Sequence, residues 1–186
     1  MAYAIVLDAD VLHPYNLADL LLRLCERGLF RVAWSEEIID ELVESLVRRG
    51  LERPRARRRV EAMSQAFPEA LVAGVGRFLP AVPNEIDPDD RHVVAAALAA
   101  KADCVVTNNT RDFPHDALVA VGIDVQSADE FLVNQLTLDE EAVVGVIREM
   151  EADRLRPPRT PHELLAALAG AAPRFAELAR ELFSDD

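Results

Sequence analysis

Carboxylates leave three apolar stretches of this chain at points where a fold could gather them. Asp8 and Asp10 follow Tyr3-Ala-Ile-Val-Leu7; Asp87, Asp89 and Asp90 open the run Val93 to Ala100; Asn109 and Asp112 follow Cys104-Val-Val-Thr107. Several carboxylates converging without a nearby lysine repel one another and require a cation. An all-oxygen donor set with no cysteine and few histidines selects Mg2+ or Mn2+ over zinc. Such an ion suits phosphate esters: it polarises a phosphoryl oxygen, supplies hydroxide, or clamps attacking and leaving oxygens. Each acid alone is more often a helix cap or a solvated turn, and Asp87 and Asp89 are expected to be caps. The coincidence of Asp8, Asp90 and Asp112 at three separate strand or helix starts points beyond capping.

The surrounding pattern supplies elements to hold them. Continuous apolar runs at 3–7 and 104–107 suit strands buried on both faces, with a third strand at 123–126 and a brief extended piece at 30–34. Between them, leucines from Leu17 to Leu24 recur at helical spacing after Pro14 until Gly28. Ser35 caps an amphipathic helix to about Gly50, a further helix covers roughly 55–66, and a short one lies around 116–121. Strands alternating with helices predict an α/β fold: an open parallel sheet with helices on both faces. From Thr137, read as a cap with Glu140 three residues on, only helical patterns occur, interrupted by Arg156-Pro-Pro-Arg-Thr-Pro161. The expected division is a domain over 1–136 and a small helical extension over 137–186, too small to be stable alone and therefore packed on the main domain or another subunit.

The chain has 186 residues and a formal charge of −13, with 51% hydrophobic content, which excludes disorder and disfavours non-specific attraction to nucleic acid or anionic membranes. The charge is unevenly spread, for residues 46–60 hold seven arginines against one acid. Arg53, Arg55, Arg57 and Arg58 are candidate RNA phosphate contacts, with a solvated face paired to nearby acids as the equal alternative. Arg91 is expected to be a solvated helix residue and His92 a structural imidazole. Cys25 and Cys104 lie in apolar stretches and are expected to be buried, reduced thiols. With no membrane-length apolar run and no signal-peptide pattern at Met1–Asp10, the cytoplasm is the expected location.

Four segments carry a family resemblance: Val6-Leu-Asp-Ala-Asp-Val-Leu12, Ser35-Glu-Glu-Ile-Ile-Asp-Glu-Leu42, Asp87-Pro-Asp-Asp-Arg-His-Val-Val-Ala-Ala-Ala97 and Val106-Thr-Asn-Asn-Thr-Arg-Asp-Phe113. In this order, over residues 3 to about 132, they resemble the PIN-domain nucleases, and more closely the VapC-type toxins of bacterial toxin-antitoxin systems. The tail, with Pro157-Pro-x-Thr160-Pro and Pro173-Arg-Phe175, resembles the extension of one VapC subgroup. The resemblance implies a Mg2+- or Mn2+-dependent endoribonuclease that hydrolyses RNA with metal-bound water. It matches Asp8, Glu41, Asp90 and Asp112 to the family's metal-holding and catalytic acids, with Asp10, Thr107 and Asn109 as supporting polar groups. It also implies a homodimer and a cognate antitoxin. Two positions depart from the family pattern. Asp10 stands where Asn is common, adding charge that should tighten metal binding or raise a neighbour's pKa, and Asn109 stands where many members have an acid. Helical periodicity does not separate Glu41 from Glu37 and Glu44.

Two other functions are open. A haloacid-dehalogenase-type phosphatase would use Asp8-Ala-Asp10 as its nucleophile motif, but it needs a lysine after the Thr107 segment, and Lys101, the only lysine, precedes it. A non-toxin PIN nuclease or a degenerate RNA-binding PIN module is the nearer alternative.

Overall fold

The computed structural model describes residues 3–153 and 157–183; Arg156, where the expected proline interruption starts, lies outside the described residues. Four parallel strands, β1 (Ala4–Leu7), β2 (Arg31–Ala33), β3 (Cys104–Val106) and β4 (Asp124–Gln126), form one sheet in the order β2-β1-β3-β4. Every residue of β1 and β3 is buried, as expected of strands covered on both faces. Register pairs Val6 with Ala33 on one side and with Val105 on the other. From β1 the chain runs outward to β2, then crosses back over β1 to β3. That reversal opens a crevice at the carboxyl ends of β1 and β3, where open α/β sheets bind their ligands.

Ten helices surround the sheet among the described residues: α1 (Ala9–Leu12), α2 (Tyr15–Glu26), α3 (Glu36–Arg48), α4 (Arg53–Ala66), α5 (Arg91–Ala100), α6 (His115–Val119), α7 (Ala128–Leu138), α8 (Glu140–Asp153), α9 (Pro161–Leu168) and α10 (Pro173–Glu181). Short 3-10 turns cover Val75–Ala81 and Thr110–Asp112. Ser35 caps α3 by accepting the Ile38 N–H, while Ile38, Leu42, Val43 and Leu46 bury the helix's apolar stripe. The alanine-rich α5 buries Val93 to Ala97 against β1, β2 and β3, where small side chains allow close approach. It ends on Lys101, which adopts the left-handed conformation usually given to glycine.

Three local expectations are corrected. Thr137 does not start a helix: it lies inside α7, where its hydroxyl donates to Val133 O at 2.9 Å, and α7 runs through the expected junction at 136/137. The capping box belongs instead to Ser127 and Glu130, and Asp139 Oδ1 accepts the Ala142 N–H at the start of α8. Buried Phe131, Leu132, Gln135 and Leu136 sustain α7 past that point. Arg91 is half-buried rather than simply solvated, for its guanidinium donates to Pro83 O (2.8 Å), Val82 O (3.0 Å) and Leu79 O (3.1 Å), holding the irregular segment before α5. Cys104 is buried but Cys25 only partly so, and both are free thiols.

The C-terminal helices share the core of the main domain. Met150, Leu164, Leu165, Leu168, Phe175 and Phe183 are buried in one apolar cluster continuous with β1 and α2. Burial of each such side chain is worth about 1.5–3 kcal/mol. Arg23 reaches Asp153 (2.7 Å) and Arg27 reaches Glu149 (2.5 Å), tying α2 to α8. Gly145 leaves room for the Arg27 guanidinium, whose nitrogens lie 3.1 Å from where a Cβ would stand. Phe175 N–H donates to Asp129 Oδ1 at 2.8 Å, joining α10 to α7.

Candidate active site

The carboxyl ends of β1 and β3 present two side chains that meet directly. Thr107, fully buried after β3, donates its hydroxyl to Asp8 Oδ2 at 2.8 Å and accepts the Asn109 N–H at 3.1 Å. Asp8 is 6% exposed, and its other oxygen accepts the Ala9 N–H at 2.6 Å. The sequence did not reveal that a helix begins at once after β1, so Asp8 serves both as cap of α1 and as an acid at the crevice. Pro14 ends this short helix and lies ahead of α2.

Asp10 points back into the same place, with Oδ2 2.9 Å from the Asn108 N–H and 3.3 Å from Thr107 Oγ1. Its Oδ1 is buried without a hydrogen-bond partner. Burial, and then the Asp8 charge, push the Asp10 carboxyl up to about 7. The added charge anticipated from Asp10 thus falls on its own carboxyl. Asp8 is also raised by burial, against which the Thr107 hydroxyl, the Ala9 N–H and the His92 charge act.

Asp90 stands at the N-terminus of α5, yet its side chain makes no cap hydrogen bond. The local turn uses Asp87 instead, whose Oδ1 accepts the Asp89 N–H at 3.0 Å. Asp90's carboxylate is therefore left to the crevice. Burial and the charges of Asp8, Asp112 and Asp87 raise it to about 6. Asp112, in the 3-10 turn after β3, accepts a short hydrogen bond from Asn109 Nδ2. Where a second acid would have added charge, Asn109 fastens Asp112.

Among the three glutamates that periodicity left equivalent, Glu41 is the one brought to these acids. Its Oε2 lies 3.3 Å from His92 Nε2, and burial and the Asp8 charge raise its pKa while His92 opposes them. Glu44 is taken up by Arg53, which meets both its oxygens at 2.5 and 2.9 Å. His92, read from sequence as structural, stands among the carboxylates. Its Nδ1 is 2.8 Å from Asp89 O, and because a carbonyl only accepts, Nδ1 donates there and leaves Nε2 to face Glu41. The signal for this was its position two residues after Asp90 in a helix whose start faces the crevice.

The remaining expected residues divide. Arg53 is occupied by Glu44, and Arg55 lies 3.6 Å from Glu52, whereas Arg57 and Arg58 are exposed. Lys101 caps the far end of α5, roughly 15 Å from Asp90 by helical rise, so it cannot serve Asp8 in phosphatase chemistry.

Oxygen donors from segments far apart in sequence thus share one crevice, three of them with raised proton affinity from burial ahead of mutual repulsion, and Asp10 Oδ1 lacks a partner. This donor set fits a hard divalent cation in kind. Among the described residues, no three His, Cys, Asp or Glu side chains are already closed into a set that could hold a metal ion.

Comparison with known proteins agrees with the geometry. Residues 4–111 match the PIN domain family, and residues 128–181 match the VapC50 C-terminal domain. A protein of Mycobacterium tuberculosis (strain ATCC 25618 / H37Rv) named "Putative ribonuclease VapC50" is 48% identical over 94 residues. That match spans 50% of this chain and 56% of the relative's length.

Proposed function

Since the chain belongs to the PIN-domain family, we propose that it is a Mg2+- or Mn2+-dependent endoribonuclease, the VapC-like toxin of a toxin-antitoxin pair. The observation that carries this reading is the convergence of Asp8, Glu41, Asp90 and Asp112, with the Asp90 carboxylate unused by the helix it begins. A scaffold has no use for acids gathered where their charges repel one another. Asp8, Asp90 and Glu41 would hold the cation, with Asp112 as a further ligand or as the group orienting the nucleophile. When bound, the ion supplies Lewis-acid activation of water and neutralises charge building on the phosphate.

The chain's own groups set the geometry. Thr107 fixes Asp8 through its hydroxyl, and its own orientation is fixed by the Asn109 N–H. His92, locked by Asp89 O, keeps Glu41 turned toward the acids. Asn109 holds Asp112 by its carboxamide. Asp10, bound by the Asn108 N–H, lines the crevice beside Asp8. RNA is the substrate of this reading and a cognate antitoxin its inhibitor, covering the crevice or placing a cation among the acids. The active form is a homodimer. Among the described residues no helix is long and apolar enough to cross a membrane.

The test is cleavage of single-stranded RNA with Mg2+ or Mn2+ by the wild type and by the Asp8→Asn/Asp90→Asn variant. The expected loss is roughly a thousandfold or more with an unchanged circular dichroism spectrum. Undiminished metal-dependent cleavage by the purified double variant would sink the assignment.

A further inference from the structure

Helix α1 packs against α3, and its two ends differ in charge. At the first end the charge of Asp8 bears on Glu41; at the other the charges of Arg49 and Arg59 bear on His13. From Glu41 to Arg49 the rise along α3 is about 12 Å, a stretch that a few nucleotides of single strand cover. Arg59 reaches across from α4 to the corner after α1, donating to Leu12 O (2.7 Å) and His13 O (3.0 Å). Its guanidinium carbon stands 5.4 Å from the centre of the Tyr15 ring.

The charges at this corner are not spent as those of Arg53 and Arg55 are. Among the described residues neither Arg49 nor Arg59 forms a carboxylate ion pair. The acid whose charge acts on Arg59, Asp19, is held by Arg23 at 2.9 Å. Tyr15 is 57% exposed although aromatic, and Arg59 fixes its ring from one side. A fixed, exposed ring beside arginines that form no carboxylate ion pair is the combination that takes an unpaired base and its phosphate.

We propose that Tyr15, Arg49 and Arg59 form a subsite for single-stranded RNA flanking the scissile phosphate, with an unpaired base stacked on Tyr15 and the adjoining phosphate facing the two arginines. The proposal rests on the ribonuclease reading and names where its substrate runs. It commits to unpaired RNA, because a base held in a duplex must first be unpaired and unstacked, at a cost in free energy, before it can stack on a protein ring.

The test uses the full chain carrying Asp8→Asn, so that RNA survives, and a single-stranded oligonucleotide containing 2-aminopurine. Adding Tyr15→Ala is expected to weaken binding about tenfold and remove the fluorescence quenching that stacking causes, while Tyr15→Phe keeps both. Adding Arg49→Gln is expected to lower affinity and flatten its salt dependence. With Asp8 intact, Tyr15→Ala should raise KM and spare kcat. Equal binding and quenching by the Tyr15→Ala and parent proteins, with the wild type cleaving RNA, would overturn the subsite alone. A wild type that neither binds nor cleaves RNA would overturn the ribonuclease reading and the subsite together.

Discussion

The acids at the exits of β1 and β3 and the charges along the α2–α8 seam are treated in opposite ways. On the seam each charge has its partner near solvent: Arg23 meets Asp19 and Asp153, and Arg27 meets Glu149. In the crevice four acids are raised by burial, and for Asp10, Glu41 and Asp90 the charge of Asp8 adds to it. Exposed pairs of the first kind are worth about 0–1 kcal/mol, whereas buried like charges work against folding. The seam spends charge on docking helices at little energetic consequence. The crevice retains destabilising charge, which is reasonable only where something else is to bind.

The largest stability effect that could break this contrast concerns pH and metal. Asp10, at about 7, and Asp90, at about 6, are raised from 3.8. Between those values the folded state keeps protons that the unfolded chain has shed. Stability of the metal-free protein therefore falls as pH rises from about 4 to about 7, then levels off, with Asp10 contributing on the order of a few kcal/mol. Melts at pH 5 and 8 should show this slope. Asp10→Asn should flatten it and melt higher at pH 8, and saturating Mn2+ should raise the wild-type melting temperature at pH 8. An Asp10→Asn profile as steep as the wild type would end the contrast, and no shift with Mn2+ would favour a degenerate, metal-free module.

Next in size, Arg91→Ala should cost about 1–3 kcal/mol in urea titration, because it removes the donor that satisfies three carbonyls at once. A neutral result would mean that water replaces it. Smallest is Arg27→Ala, expected to cost less than about 1 kcal/mol. A larger loss would show that the seam is more than a meeting of exposed charges.

Much of the architecture was legible because its signals are local. The apolar runs of β1 and β3, the Ser35 cap and the alanine-rich α5 each declare themselves within a few residues, and alternation of strand with helix gives the parallel sheet. Elements that depend on distant partners did not. Thr137 and Ser127 have the same capping spacing, and only the buried face of α7 decides between them. Arg91 looked solvated because the carbonyls it binds lie in a segment without periodicity. At the site, spacing singled out Asp8, Asp90 and Asp112, but three glutamates on α3 were equivalent until His92 and Arg53 took one each. The basic window read as one stripe, whereas folding neutralises Arg53 and Arg55 and turns Arg59 inward to the corner of α1.

The reversal of strand order around β1 has a consequence for synthesis. Val6 pairs first with Ala33, within reach soon after both are made, but its other neighbour, Val105, comes almost a hundred residues later. Asp8 and Glu41 leave the ribosome well before Asp90 and Asp112 can join them. Contacts so far apart in sequence form late, since long loops must close first. A half-made chain thus carries the basic corner of Arg49 and Arg59 but only part of the acidic crevice, so the acids that repel one another are brought together only after β3 has paired with β1.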